Sequence, residues 1–590
     1  MFVLIFALPL IMALLCLALS SRVPARRLGV GAAAALLICG LALLVARLTG
    51  RLPLVVIDRI WMALDQRVVS LTLVFDAANW GLALLTLLGS GLALLALALA
   101  VPRNVRGFGG LFAAALLAIC AVLGGLANQD AALLPFLWAL AALLIFLALR
   151  ASGALSGSDT PVTVLMAGLG GALLALGALL IMSAAPIGGA PLSLALIGWT
   201  LAGMLALGVT PFHTPAQSLA EAPAALAGAL LAPGLPLLGG YALISFAAGN
   251  GAALPRSWRV GMTLIGLLTV LACAAGALGT TRLRQLIAWQ FGAQAGLVLL
   301  ALAYTGANPA DRVAPAAVAA ALLANGAIAT ITCYLAVAVL ERRAGTDDMA
   351  EIELRDPLRL PGLAMLVGAA SAIGMPGSFG LWTRRWLFDE LAWAAPWAAP
   401  VVLAGSALLA LAWAAPLALF WRRPLAATLD QQSLAASRPT VVMFMALAAA
   451  APLLILGIAP GLAWNGWLAD LQSDLAPGAG APALPGALGQ GASLLAALAL
   501  VVLALFARSR RYSLLGDQLR RAGVAAPWAL GESLRGLAWL ATAAEAFAGA
   551  WQACLGLSRW LRRGMALFEQ RYYLAGLLIA VILVIMLFIQ

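Results

Sequence analysis

A single histidine stands in this chain, in the segment Pro211-Phe212-His213, and Glu221-Ala222-Pro223 follows shortly after it. Imidazole titrates near neutrality without help, and a nearby carboxylate could exchange protons with it. Apolar runs flank the segment on both sides, from Gly198 and up to Phe246. Pro211 removes a backbone donor near a helix end, and Pro223 stands where the next helix would start. A broken polar hinge between two apolar helices suits the movement of a proton or ion along buried groups. Other polar residues fall in or beside apolar runs: Gln290, Gln294, Asn325, and the group Arg384, Arg385, Asp389 and Glu390. Plainer roles compete at each position. His213 reads more simply as a helix-end histidine bonded to a carbonyl, and Glu221 as a first-turn carboxylate favoured by the helix dipole. Arg384 and its neighbours read as an interfacial ion-pair group, because arginine does not release its proton at working pH. Asp76, in SLTLVFDAANW, reads as a cap. The six cysteines are scattered, and no CxxC, phosphate-binding loop or dinucleotide fingerprint is present. No catalytic residue, metal or cofactor is expected of this chain.

The elements that must position these groups are membrane helices. Of 590 residues, 64% are hydrophobic and 9% are charged, against about 25% charged in a soluble domain. Apolar runs recur along the whole chain, about sixteen of them long enough to cross a bilayer. The expected fold is therefore an all-α polytopic membrane protein. Met1–Ser20 lacks a basic start and continues into further spans, so it is expected to be a retained helix and not a cleaved signal. All the basic residues are arginine, and the net charge of +12 belongs to span ends, not to a nucleic-acid surface. With the N-terminus outside, arginines favour the inside by roughly two to three to one, which predicts an N-out, C-out topology. Arg47–Ser70 is expected to be a mixed polar and apolar connection at the outer interface, with Trp61. Residues 508–571 are expected to form an amphipathic helix along the cytoplasmic side, before a last span at 572–590.

Four stretches resemble one family. TPFHTPAQSLAEAPAALAGALLAPGLPLLGGYAL resembles PFH-x-WLPDA-x-EAP-x-PVSALL…GVYL; TTRLRQLIAWQFGAQAGLVLLALA resembles DLKR-x-LAYST-x-SQLG; AIGMPGSFGLWTRRWLFDEL resembles GIP-x-x-GF-x-SKDEIL; and LLPFLWALAALLIFLAL resembles LLLFFLGWELM. The chain thus resembles the antiporter-like membrane subunits of respiratory complex I, group 4 energy-converting hydrogenases, formate hydrogenlyase and Mrp cation/proton antiporters, in the longer type with a lateral helix. The resemblance implies helices 1–3 within 1–107, a first inverted five-helix repeat at 108–248, a second at 259–420, two further helices within 421–507, the lateral helix and the final anchor. Each repeat would hold one broken helix, hinged at Pro211 and Pro376.

It also implies a relay of buried charges, and most of that relay is missing. The fifth-span glutamate falls on Ala139 and the seventh-span lysine on Ala206. The eighth-span cation falls on Leu231 or Leu237, and the eleventh-span charges fall on Asn325 and Ala329. Only the twelfth-span cation keeps a charge, as Arg384. A genome that favours arginine would explain Lys to Arg; it would not explain Lys to Ala or Leu. His213, Glu221, Asn325 and Arg384 remain as the candidates for a proton path. The expectation is a membrane-arm subunit of a complex I-like or hydrogenase-like oxidoreductase in the bacterial inner membrane. Its partners would be other membrane subunits, peripheral redox subunits and the bilayer, and its role structural or coupling, with proton translocation weakened or lost. The alternative is a working proton- or cation-conducting subunit, including the membrane subunit of an inorganic-carbon uptake system.

Overall fold

The computed structural model describes residues 4–471, apart from 65–66, 154–159, 185–189, 251–253, 306–314, 350–351, 353–358 and 422–440. The spans expected at 489–507 and 572–590 and the lateral helix expected at 508–571 lie outside the described residues.

Helices α1 (Leu4–Ala18) and α2 (Ala25–Leu48) lead into strands β1 (Leu54–Leu64) and β2 (Arg67–Phe75). Then come α3 (Trp80–Ala100), α4 (Gly109–Ala127), α5 (Leu134–Ala151), α6 (Thr160–Ala184), α7 (Ala190–Leu207), α8 (Thr214–Leu219), α9 (Ala224–Leu230) and α10 (Leu235–Asn250). The second half holds α11 (Arg256–Leu278), α12 (Leu283–Leu302), α13 (Pro315–Ala344), α14 (Arg359–Ile373), α15 (Phe379–Ala394), α16 (Ala398–Trp421) and α17 (Val441–Ile458). Ten helical stretches among the described residues are long and apolar enough to cross a membrane. The chain is a multi-pass membrane protein.

Small residues set how closely the helices approach, since packing rather than hydrophobic burial holds helices together in lipid. Gly266 of α11 and Gly296 of α12 show it: a side chain at either would begin 2.9 or 2.8 Å from the other's carbonyl oxygen. Helix α13 lies at the centre, packed by α3, α9, α10, α12, α14, α15 and α17, and is buried along nearly its whole length.

Within the segment Arg47–Ser70, expected as a mixed polar and apolar connection, the chain forms regular structure. β1 and β2 form an antiparallel hairpin in which Asp58 pairs with Thr72 and Arg59 with Leu71. Thr72 Oγ1 donates to Asp58 Oδ1 at 3.1 Å, and the Ser70 amide donates to Asp130 Oδ2 at 2.9 Å. The Gln129 amide bonds the Thr72 carbonyl, fastening β2 to the loop before α5. The run 225–248, expected to be one span, lies in one crossing-length stretch, Ala224–Asn250. It is interrupted at Leu231–Gly234 between α9 and α10, where Pro233 supplies no amide hydrogen to continue the helix.

The far end of the described chain returns to the beginning. After α17, residues 460–468 form short helical turns. There Arg47 pairs with Asp470, donates to the Gly466 carbonyl at 3.0 Å and lies 5.5 Å from the centre of the Trp80 ring. Trp467 covers Gly81, with Nε1 directed at the Ala78 carbonyl.

Candidate functional site

The first break follows α7. Gly208 takes φ +70°, a left-handed turn that glycine adopts without strain, and the chain runs through Pro211 and His213 before α8 begins. The Thr210 amide, freed from helix bonding, donates to Thr269 Oγ1 on α11 at 3.2 Å. The His213 ring lies 5.0 Å from that of Trp289 on α12, tilted by 31°. Glu221 accepts a 2.6 Å bond from Thr160 Oγ1 at the start of α6.

Next to Glu221 stands a charged cluster that the sequence reading did not select. Arg284, in the first turn of α12, reaches Glu341 at 3.0 Å and Asp347 at 3.0 and 3.1 Å. Its Nη1 donates to the carbonyls of Glu221 and Ala222 at 2.9 and 2.7 Å. Glu341 Oε2 accepts the Ala224 amide, the first of α9, at 3.2 Å. Tyr334 donates its hydroxyl to the Arg284 carbonyl at 3.0 Å. One guanidinium and two carboxylates thus join the ends of α12 and α13 to the loop between α8 and α9. A signal was present: Glu341 stands in the last turn of an apolar helix, where the helix dipole disfavours an anion unless a cation compensates.

Burial alone would raise the Asp347 carboxyl, but the hydrogen bonds and charge of Arg284, with the charge of Arg282, hold it below its ordinary value. A depressed carboxyl stabilises the fold above its unfolded pKa, about 3.9, and loses that contribution as pH falls through its folded value. Asp347→Asn should therefore lower stability by about 1–3 kcal/mol. Thermal unfolding in detergent should show the same gap at pH 7 and pH 5, closing only below about pH 4. A gap that widens on acidification would contradict the assignment.

The positions at which the family resemblance would place relay charges lie in apolar packing. Trp138 of α5 is fully buried, and its ring lies 3.2 and 3.3 Å from where side chains would begin at Gly171 of α6 and Gly239 of α10. Ala206 of α7 presses on the same point of Gly239. Ala139 is half-buried beside Trp138 on α5, and Leu231, Leu237 and Ala329 are fully buried. The ground between α5, α6, α7 and α10 is closed by an indole and the bare backbones it rests on.

The second break follows α14. Gly374 and Gly377 take φ +91° and +76°, Pro376 lies between them, and α15 starts at Phe379. Asn325 of α13 and Ser371 of α14 bond each other twice, Ser371 Oγ donating at 2.6 Å and Asn325 Nδ2 donating to the Ser371 carbonyl at 3.3 Å. The Gly380 amide donates to Ser371 Oγ at 3.0 Å. Gln290 and Gln294 are buried one turn apart on α12, and Gln294 Nε2 reaches the Ala372 carbonyl at 2.5 Å. Arg384 shares that carbonyl and also donates to Ser406 Oγ on α16. It is 5% exposed and pairs with no carboxylate among the described residues. Arg385, beside it, faces Asp389 at 4.0 Å and the Trp382 ring. Asn325 and Arg384 therefore meet around one break, through Ser371 and Ala372. His213 and Glu221 gather at the other, with Arg284.

Residues 187–410, which contain both breaks, match the family described as NADH:quinone oxidoreductase/Mrp antiporter, transmembrane. NADH-quinone oxidoreductase subunit N 1 of Roseiflexus castenholzii is 29% identical over 214 residues, which are 34% of this chain and 39% of that protein. The match thus spans about two fifths of that relative's length. Among solved structures, the Mrp complex of Dietzia sp. superposes with a TM-score of 0.69 at 20% identity, over 95% of this chain and 62% of the other. Respiratory complex I of Thermus thermophilus gives 0.64 at 22% identity, over 81% and 100%. The membrane-bound sulfane sulfur reductase, an archaeal respiratory membrane complex, gives 0.61 at 18%, over 80% and 97%. At these identities the likeness is one of fold.

Proposed function

The chain has the fold of the antiporter-like membrane subunits, and its central sequence matches their family; from that premise we propose that it is a membrane-arm subunit of a complex I-like or hydrogenase-like oxidoreductase. In this reading it keeps the scaffold of a proton channel and has lost its central relay. It would sit among other membrane subunits in a bacterial inner membrane, with the redox chemistry on peripheral partners. The broken helices α7–α8 and α14–α15 would occupy equivalent places in two inverted repeats.

The carrying observation is the filled interior of the first half. A side-chain relay needs titratable groups at intervals, each within reach of the next. Trp138, Ala206, Gly171 and Gly239 leave none there. In the second half the buried charges of α15 are Arg384, Arg385 and Glu390; the arginine protons do not leave at working pH and their fixed positive charge repels a passing cation. What the subunit retains is a rigid connection: the Arg284 cluster at one break and the Asn325–Ser371 pair at the other.

A second reading, a working proton or cation path, draws support from Gln290, Gln294 and Asn325, buried amides that could order water across the second half. One experiment separates the two readings. The complex, reconstituted in liposomes, is assayed for protons moved per electron as wild type, His213→Ala and Asn325→Leu. The expected result is an unchanged ratio in both variants. A ratio that falls while electron transfer continues would overturn the structural reading and favour conduction.

A further inference from the structure

On the hairpin side of the bundle, β2 and the first turns of α5 enclose an apolar groove of about 210 Å3, lined by Leu71, Leu133, Phe136, Leu137 and Leu140. Leu133, just before α5, and Phe136, Leu137 and Leu140 of α5 form one helical stripe. Phe136 and Leu140 are 53% and 45% exposed, and the stripe continues through exposed Leu143 and Leu147 along α5. Leu134–Ala151 is one of the membrane-crossing helices. The groove therefore lies at the end of a crossing, where acyl chains give way to headgroups.

The hairpin supplies a charge at the groove's mouth. Residues paired directly across two strands share a face of the sheet, so Arg59, the partner of Leu71, stands beside the groove, and it is exposed. Arg59 pairs with no carboxylate among the described residues, and the acids of the hairpin and of the loops beside it are occupied. Asp58 is on the opposite face, bonded to Thr72. Asp130 accepts the amides of Ser70 and Ala132, and Asp76 those of Ala78 and Asn79 with the side chain of Gln129. Arg59 is thus left to face outward next to an apolar slot open to the bilayer.

We propose that this groove holds one acyl chain of an anionic phospholipid whose phosphate pairs with Arg59. Two requirements meet in one place: an apolar trough at acyl-chain depth and a cation at headgroup height. Arginine matches a phosphate with two parallel hydrogen bonds. A transmembrane helix laid on the same stripe would satisfy the leucines and Phe136 but would leave Arg59 without a counter-charge.

The test uses the full chain, purified with the subunits that accompany it, in nanodiscs of phosphatidylglycerol or phosphatidylcholine. Each lipid carries a trace of the same headgroup with a diazirine on its acyl chain. Photolabelled residues are located by mass spectrometry. The expected result is labelling within residues 133–140, stronger from the glycerol headgroup by about fivefold. Arg59→Gln should remove that preference while leaving some labelling. Leu140→Trp, at an exposed position that tolerates bulk, should abolish labelling from both lipids. Equal labelling by the two lipids, a preference that survives Arg59→Gln, or an unlabelled groove covered by a neighbouring subunit would each overturn the proposal.

Discussion

Replacing Gly380 with alanine should cost about 3 kcal/mol or more and leave little folded protein. A Cβ there would overlap the carbonyl oxygen of Ser371. That contact is backbone against backbone, so no side chain can rotate away. The same two residues are joined by the bond from the Gly380 amide to Ser371 Oγ, and Ser371 is held in turn by Asn325. Gly457 of α17 presses on Gly377 and Ser378 from the other side. The break is thus clamped between α13 and α17, and it has no slack to take up a methyl group. Gly261 of α11 is the control, because nothing lies within 4 Å of where its Cβ would be. Gly261→Ala should be neutral or slightly stabilising, by at most about 1 kcal/mol. The amount of monodisperse protein recovered in detergent and its unfolding midpoint measure both variants. Equal recovery would show that the two halves of the broken helix do not pack this closely.

Arg284→Ala should be the most damaging change at the other break. It removes the cation shared by Glu341 and Asp347 and the two donors that hold the carbonyls of Glu221 and Ala222. Breaking a buried pair from one side costs about 3–5 kcal/mol, and the part exposure of this cluster brings the expectation to about 2–4 kcal/mol. Arg284→Lys should recover only part of the loss, since an ammonium cannot meet two carboxylates and two carbonyls in one plane. Arg284→Ala combined with Glu341→Ala should be less harmful than the sum of the single changes. Additive losses in that cycle, read from unfolding midpoints, would remove the case for a cluster.

How far the sequence led depended on the range of each interaction. The crossings were legible because a span of apolar residues is a local property, and Pro211 and Pro376 with their neighbouring glycines marked the breaks for the same reason. The hairpin was not. β1 is apolar from Leu54 to Leu64 except for the adjacent Asp58 and Arg59, so no period of two marks it in a chain where apolar residues are everywhere. The Arg284 cluster escaped notice because its acids lie at the far end of the next helix, α13, and just beyond it, and each alone reads as an ordinary span end. Nothing in the local sequence around Ser371 and Ser406 signals their partners. Only the fold brings one of them to Asn325 and the other to Arg384. The resemblance singles out Ala139 and Ala206 as positions where a charge would be expected, but the indole that packs beside them did not stand out, since Trp138 reads as one more apolar residue.

The clasp between Arg47 and Asp470 has a consequence for biosynthesis. Helices enter the membrane in the order they are translated, and Arg47 is made early. Its partner, with the Gly466 carbonyl and the Trp467 ring that covers Gly81, is made only after α17 is complete. Until then the ends of α2 and α3 present an unmet guanidinium and a bare glycine. A chain that stops short of Asp470 would carry all of the broken helices and still display that opening, a local mark by which quality control could tell an unfinished subunit from a finished one.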